Sequence, residues 1–145
     1  MQILKIKTRR RRIGDFGERA ARRYLWLHGY FVLAKNYVAN GHEIDIIARR
    51  GRTLVFCEVK TRALKSVGGM EVTAASAVTP EKQRKIFSAA NFFKGYKYRN
   101  FKMRFDVIEV YYENENRRDR VKRINHMLGA FDKDTAYGMP KERYN

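Results

Sequence analysis

Cysteine is nearly absent from this 145-residue chain: Cys57 stands alone. A single thiol excludes an intramolecular disulfide and any zinc site built from several cysteines. Proline is almost as scarce, with Pro80 and Pro140 the only two. No apolar run approaches the roughly 20 residues that a membrane-spanning helix needs, and no long basic amphipathic helix dominates the chain as a membrane-surface anchor would. Residues 1–12 carry Lys5, Lys7 and four arginines but lack the apolar core of a secretory signal. A reducing cytoplasm and no membrane partner are therefore expected. Internal repeats and low-complexity tracts are missing too. Acid is the scarcest commodity relative to its opposite: 15 Asp plus Glu face 32 Lys plus Arg, a formal net charge of +17. Such an excess favours an anionic polymer as partner, because neutralising phosphates releases counterions, and nucleic acid is the commonest such polymer. A ribosome-associated protein or a merely soluble basic surface are the alternatives.

The length suits one domain with a hydrophobic core of its own. Residues 1–13 read as a basic arm, 14–131 as the folded domain, and 132–145, mixing charges with Gly138 and Pro140, as a flexible tail. Asp15 is placed to cap a helix that runs to about His28 and stops at Gly29. Phe16, Ala20, Tyr24 and Leu27 recur at near-helical spacing and are expected to face the core. Glu18 then falls on the side shared by Ala21, Arg22 and Leu25. Residues 30–38 read as a strand, followed by a turn bracketed by Asn36 and Gly41. The stretch from Arg62 to Thr79, with Gly68-Gly69, reads as a loop that either closes over a substrate or is ordinary surface. Thr79 and Pro80 open a second helix, with Ile86, Ala89, Ala90 and Phe93 as its buried stripe. Phe101, Met103, Phe105 and Val107 alternate with polar residues as a strand reaching about Tyr112, in which Asp106 is expected to partner arginines. Residues 113–120 read as a polar turn and 121–128 as a returning strand. His126 has no cysteine or histidine partner at metal spacing and reads as structural or as a phosphate contact.

Two runs break the pattern of apolar strands. Gly41-His42-Glu43-Ile44-Asp45-Ile46-Ile47 and Val55-Phe56-Cys57-Glu58-Val59-Lys60 carry acids inside segments that otherwise want burial, joined by the basic turn Arg49-Arg50-Gly51-Arg52. Alternation along a strand puts Glu43 with Asp45 on one face, and Glu58 with Lys60 on one face. Acids are depleted from strands, and burying them is costly without compensation. Asp45, Glu58 and Lys60 at neighbouring positions would supply two hard oxygen ligands and an ammonium. Mg²⁺ suits such oxygens and retains some of its waters, so a phosphodiester could meet metal and lysine together. The plainer reading is a salt-bridged pair of strands in which Lys60 neutralises Glu58 and Asp45 caps a turn. Cys57, among apolar neighbours, reads as a small buried strand residue. Glu18 is either a solvated first-turn acid favoured by the helix dipole or a functional group. Lys82, Arg84 and Lys85 crowd the start of the second helix, where the dipole does not favour them. They either meet phosphates or form an ordinary solvated face.

Gly14, Gly17-Glu18, Ala21, Leu25, Gly29-Tyr30, Asn36, Glu43-Ile44-Asp45, Phe56-Cys57-Glu58-Val59-Lys60-Thr61-Arg62, Lys82 and Arg104-Phe105-Asp106-Val107 follow an order and spacing that resembles the UPF0102 (YraN-like) group of small bacterial proteins, placed among the PD-(D/E)xK nucleases. The resemblance covers nearly the whole chain, from about Gly14 to Phe131. It implies an α/β, restriction-endonuclease-like domain with a central mixed β-sheet flanked by helices, a topology that periodicity alone does not define. It also implies a metal-dependent nuclease that hydrolyses phosphodiester bonds in DNA repair or recombination, with DNA expected ahead of RNA. Asp45, Glu58 and Lys60 would form the catalytic core, with Glu18 an additional carboxylate. Mg²⁺ or Mn²⁺ would be held by Asp45 and Glu58, helped by Glu18 and the Val59 carbonyl, with Glu43 a supporting or alternative ligand. Lys60 would orient or deprotonate the attacking water, or stabilise the pentacoordinate phosphate. Nucleic-acid contacts are expected from Arg9, Arg10, Arg11, Arg12, Arg62, Lys82 and Lys85. No base-reading motif is present, so structure-selective or nonspecific recognition through phosphates is expected. A homo-oligomer is left open, as is a non-catalytic nucleic-acid-binding protein on the same fold. The chain departs from the group's pattern at His42, where Gly commonly precedes Glu-Ile-Asp, and at Cys57, where Val commonly precedes Glu-Val-Lys.

Overall fold

The computed structural model describes residues 8–64 and 78–138. Helix α1, Arg9–Leu27, opens at Thr8, whose hydroxyl accepts the Arg11 N–H at 3.3 Å. The cap expected at Asp15 is therefore about two turns too late. Thr8 supplies the acceptor that a helix start needs, and arginine is a good helix former, so residues 9–13 of the expected arm are helix instead. Residues 1–7 lie outside the described residues. The end of α1 matches expectation: His28 caps it, and Gly29 adopts a left-handed φ of 82°.

The buried stripe of α1 also differs from expectation. Gly17, Ala21 and Leu25 are buried, whereas Leu27 is 64% exposed. Phe16, Ala20 and Tyr24 are only half-buried. Size decided this rather than hydrophobicity. A Cβ on Gly17 would fall 1.7 Å from the Thr61 hydroxyl oxygen, so small residues let the helix axis press onto the sheet. Glu18, beside that stripe, is consequently carried to the edge of the helix–sheet seam.

Strands β1 (Phe31–Ala39), β2 (His42–Arg50) and β3 (Thr53–Ala63) form an antiparallel meander. Asn40 and Gly41, at φ of 52° and 75°, make the first tight turn, which matches the right-handed twist of the flanking strands. Helix α2, Pro80–Lys94, begins as expected, with the Thr79 hydroxyl accepting the Lys82 N–H at 3.2 Å. It crosses over so that β4 (Lys102–Glu115) lies parallel to β3, and β5 (Arg118–Phe131) returns antiparallel. The sheet order is β1-β2-β3-β4-β5. This α/β architecture, a five-stranded mixed sheet flanked by helices, is consistent with the restriction-endonuclease-like arrangement.

Two expectations at the C-terminal side need correction. The polar turn placed at residues 113–120 shrinks to Asn116 and Arg117, both at positive φ. Opposed charges extend the ribbon: Lys122 bridges Glu113 and Glu115, and Arg120 lies 3.6 Å from Glu115. Cross-strand pairs of opposite charge stabilise such a ladder. The flexible tail expected from Asp132 onward instead begins with a short helix, α3 (Lys133–Tyr137), closed by an Asp132–Thr135 capping box. Its Ala136 is buried, and its carbonyl accepts from Arg84 at 2.8 Å. Residues 139–145 lie outside the described residues, as do 65–77, where the loop was expected.

Each face of the sheet carries a core. On the α2 side Phe56, Phe87, Phe105 and Phe131 pack ring on ring. On the α1 side lie Leu25, Ile46, Val55, Cys57, Ile108 and Val110. Cys57 is the buried strand residue expected, its thiol pushed up by burial and beyond ready ionisation. Asp106 belongs to this side as well. Fully buried, it accepts two hydrogen bonds from Arg104 at 2.9 Å, one from the Gly129 N–H at 2.9 Å, and meets His126 Nε2 at 2.7 Å. His126 is thus structural. No helix among the described residues is long and apolar enough to cross a membrane.

Candidate functional site

The ladder between β2 and β3 stops at Ile46 opposite Cys57. Beyond that pair the strands part, and the side chain of Asp45 bridges the gap: its Oδ2 accepts the Val59 N–H at 2.8 Å. A carboxylate thus satisfies a backbone donor that a neighbouring strand would otherwise have taken. Glu58, next to Val59, is 5% exposed. Its Oε1 accepts from Lys82 Nζ at 2.5 Å and lies 3.5 Å from Lys60 Nζ. The β3 acid and base therefore share one face as alternation requires, and α2 brings a second lysine to the same oxygen.

Electrostatics at this split are strained. Burial, and then the charge of Glu58, push the Asp45 carboxyl up to about 7, against the lowering effect of the Val59 N–H. Glu18 is also raised, first by its own burial and then by Glu43 and Asp15. For Lys82, burial disfavours the ammonium. The hydrogen bond to Glu58 and the charges of Glu58 and Asp45 outweigh it, so the group stays protonated well into alkaline solution. Burial, like charge and opposite charge are the levers at work, burial the largest at each of these groups.

Of the expected carboxylates, Asp45 and Glu58 share one hollow and act on each other electrostatically. Glu18 and Glu43 form a second pair, joined by Asn36. With its amide nitrogen turned toward them, Asn36 donates to Glu18 Oε2 at 3.0 Å and to Glu43 Oε1 at 3.2 Å. Asn36 entered the sequence reading as a turn residue and as one position of the family pattern, with no role among the acids. Its left-handed φ of 48° is what aims the amide between two acids, and Asn tolerates that conformation better than most residues. Among the described residues no three His, Cys, Asp or Glu side chains group tightly enough to enclose a metal by themselves. The donor chemistry still suits a hard divalent cation: two carboxylates from neighbouring strands can bind one while waters complete its shell, the habit of Mg²⁺.

Three hollows open around these acids. One of about 370 Å³ is lined by Glu43, Asp45, Glu58, Lys82 and Lys85, the last lying 3.5 Å from Glu81. A second, of about 510 Å³, holds Lys60 with Arg9, Arg10 and Glu18. The largest, of about 780 Å³, contains Arg11 and Arg12 and again has Glu18 in its wall. Glu18 is the partition between the last two. Arg62 sits half-buried on β3 opposite Tyr111, beyond these linings. Sequence reasoning treated Lys82 as a phosphate contact. Its ion pair with Glu58 was invisible there because it joins residues 24 positions apart.

The profile of "Uncharacterised protein family UPF0102" matches residues 17–110. A UPF0102 protein of Herminiimonas arsenicoxydans is 42% identical over 108 residues, spanning 72% of this chain and 81% of its own. One from Caldanaerobacter subterraneus subsp. tengcongensis is 36% identical over 126 residues, spanning 86% of this chain and 98% of its own. Another, from Clostridioides difficile, is 39% identical over 120 residues, spanning 81% and 95%. All three alignments run through the strands that carry the acids and over most of each chain, so the chain belongs to the UPF0102 family.

Proposed function

We propose that this protein is a divalent-metal-dependent nuclease of the PD-(D/E)xK kind, hydrolysing phosphodiester bonds of nucleic acid, DNA ahead of RNA, without reading base sequence. The observation that carries the reading is that Asp45 and Glu58 share one hollow where β2 and β3 part, with Lys60 3.5 Å from the Glu58 oxygen. Asp45, Glu58 and the Val59 carbonyl are the residues to hold Mg²⁺ or Mn²⁺, Glu18 and Glu43 supporting them from the Asn36-linked pair. When bound, the cation lowers the pKa of a coordinated water and offsets charge on the phosphate. Lys60 orients or deprotonates the attacking water, or places positive charge beside the phosphoryl oxygens, where charge develops. Lys82 gives the Glu58 oxygen a hydrogen-bonded cationic partner. Arg9 and Arg10, lining the hollow beside Lys60, orient the phosphate backbone through its charge. Repair or recombination is the process such an activity would serve.

One observation favours a second reading, a non-catalytic nucleic-acid-binding protein: Lys82 and Lys60 already neutralise Glu58, as in a structural salt bridge. Cleavage of labelled branched, single-stranded and duplex substrates with Mg²⁺ or Mn²⁺, by wild type and Lys60→Ala, separates the two. A transition-state role predicts lost cleavage with retained affinity. Equal cutting by both proteins overturns the assignment of Lys60. Binding without cutting by either, together with early melting of the variant alone, replaces the nuclease by the binder.

A further inference from the structure

Among the described residues some cations are ion-paired and many are not, and six of those without an ion pair share one groove. Lys60, Lys82, Lys85, Arg104, Arg120 and Lys122 each sit within ion-pair distance of an acid. Arg11, Arg12, Arg19, Arg22, Lys35 and Arg118 lie outside ion-pair distance of any acid among the described residues, and all six line a groove of about 780 Å³ in which three acids, Asp15, Glu18 and Asp119, leave them in excess. Four of them come from one side of α1, and Lys35 and Arg118 face them from β1 and from the tip of the β4–β5 ribbon. Arg11 and Arg12 also stand in the first turn of α1, where no acid offsets the positive end of the dipole. Cations gathered from three elements, in excess of the acids beside them, form a site for a chain of anions, each guanidinium able to grip a phosphate with two donors.

The dimensions select the strand number. From Arg11 to Arg22 the helix rises roughly 16 Å, enough for a few successive phosphates. Spread over that length, the groove volume corresponds to a channel roughly 8 Å across. A B-form duplex, whose major groove alone is about 12 Å wide, lies over a channel of that width rather than within it, whereas a single backbone fits inside. Phe16 supplies an apolar surface in the lining, standing edge-on to Tyr112, of the sort on which an unpaired base can rest. Glu18, shared between this groove and the hollow of Lys60, marks where the strand would pass from one to the other.

We propose that this groove is a track for a single-stranded segment of nucleic acid, so that the preferred substrate is a duplex bearing an unpaired tail or flap, delivered past Glu18 to Lys60. The proposal rests on the nuclease reading for its purpose but not for its test. Fluorescence anisotropy with chelator present, so that nothing is cut, would compare a blunt hairpin duplex with the same hairpin carrying a 5′ or a 3′ oligothymidylate tail. Wild type should bind at least one tailed hairpin about tenfold or more tighter than the blunt one, with the salt slope of a single strand, about −0.7 per phosphate neutralised. Arg12→Glu/Arg19→Glu, both exposed positions, should abolish the preference while leaving blunt-duplex affinity nearly unchanged. Arg118→Glu, on a different element, should reduce it, which guards against a helix-folding artefact. Lys97→Glu/Arg99→Glu, equally charge-reversing but outside the groove, should leave it intact. A control that lowers tailed binding as much as the groove variants, or a wild type without tail preference, overturns the track. Tail preference in a protein that never cleaves sinks the nuclease and leaves the track standing. Cleavage without tail preference does the reverse.

Discussion

Two aspartates, Asp106 fully buried and Asp45 half-buried, stand on strands of the same sheet and live in opposite circumstances. Asp106 has every lone pair engaged: two hydrogen bonds from Arg104, one from the Gly129 N–H, and the His126 ring. Burial acts to raise it, yet the hydrogen bonds of His126 and Arg104 prevail and hold it below the ordinary carboxylate range. Asp45 receives one backbone N–H and faces Glu58 and Glu18, so burial and like charge carry it up to about 7. The lesson is that burial of an acid in a strand does not by itself indicate a functional group. The unfinished environment does, because what is left unsatisfied is room for a cation or substrate.

The largest expected effect is the substitution that separates them. Asp106→Ala leaves Arg104 and His126 facing an empty pocket, and breaking a buried pair from one side costs roughly 3–5 kcal/mol. Asp45→Asn keeps an oxygen for the Val59 N–H and removes repulsion with Glu58, so chelator-treated variant should be as stable as wild type or more so near neutral pH. Urea unfolding of both variants measures this, and a loss at Asp45 equal to that at Asp106 would erase the distinction.

Stability against pH sharpens it next. Because the folded state raises Asp45, folded protein holds a proton between about pH 4 and 7 that the unfolded chain releases, so its contribution to stability falls as pH rises through that window. Asp106 is depressed, so its contribution is present above the unfolded value near 4 and is lost only in stronger acid. The difference between wild type and Asp45→Asn should therefore slope through pH 4–7 by a few kcal/mol in total. Melting curves in chelator across that range check it. A flat difference means Asp45 titrates normally.

Divalent metal gives the smallest shift. At one hundred times its dissociation constant, a ligand that binds only the folded state adds about 2.7 kcal/mol. Mn²⁺ should raise the melting temperature of wild type and not that of Asp45→Ala/Glu58→Ala, with heat of binding seen in titration calorimetry only for wild type. An equal rise in both proteins places the metal elsewhere.

Much of this was legible in one dimension because it rests on short-range rules. Thr79 followed by Pro80 announced α2, Gly29 ended α1, and alternation put Glu58 and Lys60 on one face of β3. The errors came where distant partners decide. Which stripe of α1 is buried depended on Thr61, 44 residues beyond Gly17, since close approach selected Gly17 and Ala21 over the larger Phe16 and Leu27. The polar run at 113–120 and the expected tail at 132 gained structure from partners across a ladder and from α2.

Composition and local pattern determined that this chain is basic, alternates strands with two capped helices, and carries Asp45, Glu58 and Lys60 on adjacent strands, because charge, alternation and capping act over a few residues. Tertiary structure alone decided that Lys82 shares the Glu58 oxygen, that Asn36 joins Glu18 to Glu43, and that six arginines and lysines, in excess of the acids beside them, line one groove. Those arrangements depend on where β2 and β3 part and how closely α1 lies on the sheet. Packing sets both, by joining residues far apart in the chain, which no local rule can do.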